Sequence, residues 1–385
     1  MKSATVLVYV QHLLGIGHQM RAAAIVRAMR AQGLNVTCVS GGEPAGMPDL
    51  GGARLIQLPP LRAADSSFRR LVDEMGREID AEGRARRRDA LLSAFRDVRP
   101  GVLLIESFPF ARWQFRFELL PLLQAAREKG VRVAASVRDI LVAKDDPTRV
   151  DAIVDILRES FDAVLVHGDP RLVSLDATFG AADRIADLIH YTGYVAPPPP
   201  DIAADGPGAG EVVVAAGGGA VGGTLLRTAL AARPLTKFAS SRWRLITGPN
   251  LPPAERQALA APRGVTIDTM RDDYREILGR AALSVSQAGY NTVMDILVAG
   301  ARAVLVPFST DTETEQRLRA RLLAARGRVQ VISESGLSPS ALAQAIDTAA
   351  EMPRPDPPDF SLDGANGTAR LVAALLTRTP ARNGL

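Results

Sequence analysis

A chain of 385 residues exceeds what one hydrophobic core usually supports, so two domains are expected. With 47% hydrophobic and 23% charged residues, it has an ordinary globular composition, which argues against extended disorder. A net charge of only +4, a single cysteine at Cys38 and no apolar run of membrane length argue in turn against nucleic-acid binding, an intramolecular disulfide or cysteine metal cluster, and a transmembrane helix.

Thr5 to Val10 is a β-branched apolar run and predicts a strand. It is too short and too strand-like for a signal peptide, and with Cys38 as the single cysteine a reducing cytoplasm is the expected home. The loop QHLLGIGHQ follows, then a helix with Ile25, Val26 and Met29 on one face, ending at Gly33. Val36 to Val39 is the next strand, giving the strand, glycine loop, helix, strand order of a Rossmann-like opening. The GxGxxG begun by Gly15 and Gly17 is broken at Met20, which argues against a dinucleotide cofactor.

Gly41 to Pro60 reads as loop around a short strand at Arg54 to Leu58, and Ser66 to Arg99 as one or two long polar helices. Arg84 to Arg88 is the one dense basic run; it is either a solvated helix face or an anionic-surface contact. GVLLIES is a buried strand leading into the aromatic loop FPFARWQF, whose rings either fill a core or shape an apolar pocket. A helix from Glu118 to Lys129, the strand VRVAASVRD, a helix from Arg149 to Ser160, the strand DAVLVHGDP and a short strand at Ile189 to Tyr191 complete the first half. Residues 1–196 therefore predict one domain, and the proline- and glycine-rich stretch 197–210 a linker.

The second domain, 211–364, opens with the same order: a strand to Ala216, the glycine turn Gly217, Gly218 and Gly219, then a helix. Glycines leaving a strand and opening a helix present backbone N–H groups to an anion, or form a plain tight turn. WRLITGPN and GVTIDTM add strands. Leu283 to Ser286 is a strand, Gln287 to Asn291 a turn around Gly289, Thr292 to Ala299 a helix, Ala303 to Pro307 a strand and Thr310 to Gln316 a polar loop. Gln287, Asn291 and Thr292 at that helix start either donate to phosphate oxygens or cap the helix, and Asp295 lies on the same side as Thr292. A final helix and tail, 365–385, close the chain.

QAGYNTVMD, then an alanine-glycine helix end, VLVPF and EQ resemble the nucleotide-sugar motif of GT-B glycosyltransferases of the MurG-like, family 28 group of bacterial enzymes. GIGH after the first strand and YTGYV before the linker resemble that group's N-terminal segments. The resemblance implies an α/β fold of the GT-B type, two Rossmann-like domains facing across a cleft, with the last helix crossing back to the N-terminal domain. It implies hexosyl transfer from a nucleoside diphosphate sugar, UDP-sugar favoured, to an acceptor hydroxyl, inverting and metal-independent, with no cofactor because the nucleotide sugar is a co-substrate. The acceptor is a small molecule or lipid-linked, and peripheral membrane contact is allowed.

The same resemblance puts the diphosphate on the glycine turns, the ribose on Asp295 where relatives have glutamate, and the donor sugar on Glu315 and Gln316; Arg319 replaces a common asparagine. It also makes His18 the base that takes the acceptor proton. A histidine titrates near neutrality and suits that role. Glu106 either orients His18 or is itself the base. His12, Arg138, Asp139, His167 and Asp169 stand at apparent strand ends; these and Gly17 are acceptor-pocket candidates. No metal cage is expected, since Asp311 to Glu315 lack a spaced partner. The alternatives are a UDP-sugar 2-epimerase-like enzyme, which shares the architecture, and a nucleotide-sugar-binding protein without turnover.

Overall fold

The computed structural model describes residues 5–13, 17–44, 48–65, 70–142, 146–217, 222–248, 251–259, 261–308 and 314–377. The chain forms two compact units, Met1–Val195 with Asp363–Leu385, and Ala196–Leu362. In chain order the first contains β1 (Thr5–Val10), α1 (Gly17–Ala31), β2 (Asn35–Ser40), β3 (Arg54–Gln57), β4 (Arg62–Ala63), β5 (Leu71–Val72), α2 (Ala81–Val98), β6 (Val102–Glu106), α3 (Arg116–Glu128), β7 (Arg132–Arg138), α4 (Pro147–Ser160), β8 (Ala163–His167) and β9 (Ile189–Tyr191). Its main sheet is parallel, in the order β3-β2-β1-β6-β7-β8-β9.

Every residue of β1 and β6 is buried, as a parallel strand covered on both faces requires. Val6, Val8 and Val10 share one core with Ile25, Val26 and Met29 of α1. Leu7 and Tyr9 alternate to the other, with Leu91 and Phe95 of α2 and Leu119 and Leu122 of α3. Phe108, Phe110 and Phe115 belong to that second core, so most of the aromatic run fills the interior.

The second unit contains β10 (Val212–Ala215), α5 (Gly223–Ala232), β11 (Trp243–Ile246), α6 (Pro253–Gln257), β12 (Val265–Asp268), α7 (Tyr274–Arg280), β13 (Leu283–Ser286), α8 (Tyr290–Ala299), β14 (Ala303–Leu305), α9 (Glu315–Ala324), β15 (Gln330–Val331) and α10 (Pro339–Glu351). Its parallel sheet runs β12-β11-β10-β13-β14-β15. Both sheets reverse their strand order once, between β1 and β6 and between β10 and β13, and ligands of open α/β sheets bind beyond the carboxyl ends at such a reversal. The stretch 197–210 is docked rather than loose: Arg280 donates from Nε to Ala203 O at 3.1 Å and from Nη1 to Pro207 O at 2.9 Å.

Two expectations change. The region from Ser66 to Arg99 is not all helix. Leu71 and Val72 pair antiparallel with Arg62 and Ala63, and Asp73 accepts from Met75 N and Arg77 N, both at 2.9 Å, a side-chain turn that competes with helix. Helix α2 begins only where Asp80 caps Gly83 N at 2.7 Å. Arg87, in the middle of the basic run, is fully buried, so that run is not a uniformly solvated face.

The last helix, α11 (Gly364–Thr377), belongs to the first unit and shares a core with α1 through Val372 and Leu375. It closely meets the backbone just after β9: a Cβ on Gly364 would lie 2.2 Å from Gly193 O, and one on Gly367 2.2 Å from Thr192 O. Gly367→Ala is therefore expected to cost about 1–3 kcal/mol, as overpacking does, read from the urea midpoint. Among the described residues no helix is long and apolar enough to cross a membrane.

Candidate functional site

The first unit gathers its polar groups at the reversal between β1 and β6. His18 lies in the first turn of α1, and Glu106 is the last residue of β6. His18 Nδ1 is 2.7 Å from Glu106 Oε1, which also takes Arg21 Nη2 at 2.5 Å and Ser107 Oγ at 2.8 Å. Burial alone would raise the Glu106 pKa, but His18, Arg21 and Arg112 outweigh it and hold the carboxyl well below its usual range. Burial pushes His18 down to about 4 against the opposing pull of Glu106.

His18 is therefore neutral at pH 7. Nδ1 also lies 3.2 Å from Arg21 Nη2, but an ionised carboxylate cannot donate, so the shorter 2.7 Å contact to Glu106 puts the ring proton on Nδ1 and leaves Nε2 as the basic atom. Ser107 and Arg112, on the loop leaving β6, both hold left-handed backbone, at φ 67 and φ 59. Such strain in non-glycine residues clusters at functional sites. The position of Arg21, three residues after His18 on one helix face, was the signal in the sequence for a third member of this group; nothing marked Ser107 or Arg112.

The remaining acceptor candidates divide. Gly17 opens α1. His12 is buried with its ring against Gly42, where a Cβ would come within 2.1 Å of Cε1. Arg138 ends β7 and Asp139 follows it, buried; both are engaged. His167 is a core residue instead: it is wholly buried, with Nε2 2.6 Å from Ser136 Oγ and Nδ1 3.0 Å from Thr192 Oγ1, and burial pushes it down to about 3. Asp169 closes a turn, accepting from Arg171 N at 2.9 Å and Arg171 Nη2 at 2.6 Å. Hydrogen bonding within the fold thus accounts for both His167 and Asp169.

In the second unit the turns after β10 and β13 lie side by side. Gly217 has φ 71, and a Cβ there would sit 3.7 Å from Gln287 Oε1. Gly218 and Gly219 lie outside the described residues. Gly289 caps α8 and opens its amide end; Asn291 and Thr292 are in the first turn, where N–H groups and the positive dipole end favour an anion.

Glu315 and Gln316 begin helix α9 rather than ending a loop, while residues 309–313 of the expected loop lie outside the described residues. Gln316 Oε1 accepts from Ala288 N and from Phe308 N, each at 3.1 Å. Arg319, fully buried, donates from Nη1 to Ala288 O at 3.2 Å and has Nη2 3.7 Å from Glu315 Oε2. One turn of α9 thus grips both the N–H and the C=O of Ala288. Arg319 helps hold the turn that precedes Gly289.

Asp295 stands on α8 near Tyr274 and Arg275 of α7; burial pushes its pKa up to about 7, against Arg275. Its native pKa exceeds its unfolded value, so the folded chain binds the extra proton and loses stability as pH rises from about 4 to about 7. Asp295→Asn is expected to stabilise the unliganded chain by about 1–3 kcal/mol at pH 8 and hardly at pH 5, as urea midpoints at the two pH values would show.

Residues 212–358 match the model of a family described as Glycosyltransferase family 28 C-terminal domain. Segments of this chain are similar to UDP-N-acetylglucosamine--N-acetylmuramyl-(pentapeptide) pyrophosphoryl-undecaprenol N-acetylglucosamine transferases. That of Rhizobium johnstonii is 40% identical over 80 residues, 21% of each chain, and that of Nitrosococcus oceani 40% identical over 76 residues, 20% of this chain and 21% of the other. Such matches span about a fifth of those relatives' length. Nearly the whole chain superposes on solved glycosyltransferases. The calicheamicin glycosyltransferase CalG4 gives a TM-score of 0.61 at 17% identity, covering 98% of this chain and 94% of that one. MurG of Acinetobacter baumannii gives 0.57 at 16%, covering 97% and 99%. Spinosyn rhamnosyltransferase SpnG, solved with thymidine diphosphate, gives 0.61 at 16%, covering 97% and 96%.

Proposed function

We propose, from the match of residues 212–358 to a family 28 C-terminal domain and the likeness of the chain to solved GT-B glycosyltransferases, that this protein is a glycosyltransferase moving a sugar from a nucleoside diphosphate sugar to an acceptor hydroxyl. The observation that carries the chemistry is His18, neutral and bonded through Nδ1 to the Glu106 carboxylate. Nε2 takes the acceptor proton as the glycosidic bond forms, and Glu106 stabilises the resulting imidazolium. Glu106 itself, ionised with three donors on one oxygen, is the weaker base.

In the second unit the turns at Gly217 and Gly289 hold the departing diphosphate with backbone N–H groups, Asp295 takes the ribose hydroxyls, and Glu315 and Gln316 face the sugar. A single displacement by the activated hydroxyl inverts the anomeric centre, and no metal is required when helix ends neutralise the diphosphate. UDP-N-acetylglucosamine is the first donor to try, because the segment-level relatives are named for that transfer; the thymidine diphosphate on SpnG makes TDP-sugars the rival. The reaction is assigned to the cytoplasm, a setting consistent with the one buried, free thiol of Cys38.

The test is nucleoside diphosphate release from a panel of UDP- and TDP-sugars with and without an acceptor panel, with EDTA present, and NMR of the product anomer. Acceptor-dependent release that survives EDTA, with an inverted product, is expected. An epimerised donor formed without acceptor, or tight nucleotide binding without product, would replace transfer by one of the alternatives.

A further inference from the structure

The polar group around His18 carries more positive charge than its own chemistry uses. Arg21 is spent on Glu106, and Asp169 on Arg171. Among the described residues, and counting the buried Asp139 that follows Arg138, three guanidiniums (Arg21, Arg112, Arg138) stand with two carboxylates (Glu106, Asp139), and His12, His18 and His167 are all pushed toward neutrality. Arg112 is the one in excess. Its backbone is held left-handed, and its Nε donates to Gln11 O at 2.6 Å. That is its hydrogen bond among the described residues, and its two terminal nitrogens are left over.

The guanidinium is half-buried and stands near enough to His12, His18 and Glu106 to shift all three; burial disfavours its charge, the Glu106 carboxylate favours it, and Arg138 opposes it as a like charge. An arginine held in strained backbone, pinned at Nε and sharing the Glu106 carboxylate with Arg21 while Arg138 opposes it, leaves its terminal nitrogens open to a further anion. The two terminal nitrogens of a pinned guanidinium form a fork suited to a carboxylate or a phosphate.

We propose that Arg112 selects the acceptor: the molecule whose hydroxyl reaches His18 also carries a carboxylate or phosphate, held by the Arg112 fork. This depends on the transfer chemistry above only for the presence of an acceptor hydroxyl at His18; the anion site itself rests on Arg112 and its surroundings.

Two measurements separate them. In the first, the full chain labelled at histidine Cε1 is titrated with inorganic phosphate, glucuronate and glucose 6-phosphate, with glucose as the neutral control. The four histidines keep the spectrum assignable, and the wholly buried His167 reports whether the fold is intact. An anion on Arg112 favours the imidazolium, so the His18 titration should move up by about half a unit or more. Arg112→Asn, which tolerates left-handed backbone, should abolish that movement, and Arg112→Lys should keep part of it.

In the second, glucose, glucuronate and glucose 6-phosphate are compared as acceptors. One of the two anions should exceed glucose in kcat/KM by about 10- to 100-fold, the size of a charge-assisted pair, and Arg112→Asn should remove most of that ratio. The better anion tells carboxylate from phosphate. If His18 shifts with anions but no acceptor is glycosylated, the anion site stands and the transferase assignment falls. If glucose is used as well as both anions, or Arg112→Asn leaves the anion-induced shift in place, the acceptor assignment falls and the transferase one stands.

Discussion

Replacing His18 by alanine is expected to lower kcat about 10²- to 10⁴-fold, the usual worth of a positioned general base, while leaving KM for the nucleotide sugar within about twofold. The residues proposed for the donor are all in the other unit, so ground-state donor binding is expected to be independent of the imidazole. The pH profile is the sharper check. A base acts in its unprotonated form, and burial sets the His18 pKa at about 4. In the wild type kcat/KM should therefore stay flat from pH 8 to about 5 and fall only below that, where an ordinary histidine would already lose activity near 6.5.

Glu106→Gln should cost both rate and stability. The neutral amide no longer fixes the proton on Nδ1 and no longer supports the imidazolium, and Arg21 is left as a buried cation without its carboxylate. Breaking such a pair typically costs about 3–5 kcal/mol. The folded pKa of His18 lies below its unfolded value, so the unfolded chain binds the extra proton and this contribution to stability is lost as pH falls from about 6.5 through about 4. A His18→Ala enzyme retaining more than a tenth of kcat would move the base elsewhere.

The sequence made the order of elements legible because β-branched runs such as TVLVYV and VLLIE are long enough to be read alone, and because glycines such as Gly33 and Gly130 end their helices at positive φ. It also placed His18 at a helix start and Glu106 at a strand end, although 88 residues separate them; the parallel sheet brings β1 beside β6. Arg21 was within reach of spacing alone. His167 was not: a polar residue at a strand end reads the same whether it lines a pocket or, as here, meets Ser136 and Thr192 inside the core.

Arg319 read only as a departure from a common asparagine, because its bond to the Ala288 carbonyl is one that no side-chain pattern reveals. The hairpin at Leu71 was hidden by the polar composition it shares with α2, and only the Asp73 turn distinguishes the two. Arg87 was the least legible, one arginine within RARRR whose partners come from four separate stretches of chain.

That arginine supports the second large expectation. Arg87 donates from Nε to Glu118 Oε2 at 2.7 Å and from Nη2 to Oε1 at 3.1 Å, and its remaining hydrogens go to Gln11 Oε1, Gly41 O and Pro59 O. Both side chains of the pair are fully buried, and Tyr9 OH completes the carboxylate at 2.5 Å. Arg87→Met should destabilise the chain by about 3–5 kcal/mol, because it strands a buried carboxylate and two backbone carbonyls. Arg87→Met with Glu118→Leu should cost less than Arg87→Met alone, since the uncompensated charge goes with its partner.

The damage would not be confined to the core. Gln11, held by Arg87, is the residue whose carbonyl pins Arg112, so a loosened Arg87 site should also reduce the discrimination between anionic and neutral acceptors at temperatures where the chain is still folded. Urea unfolding of the two single variants and the double variant, with acceptor ratios measured on the same samples, checks both halves. A double variant no more stable than Arg87→Met would mean that the orphaned carbonyls, rather than the stranded charge, set the cost.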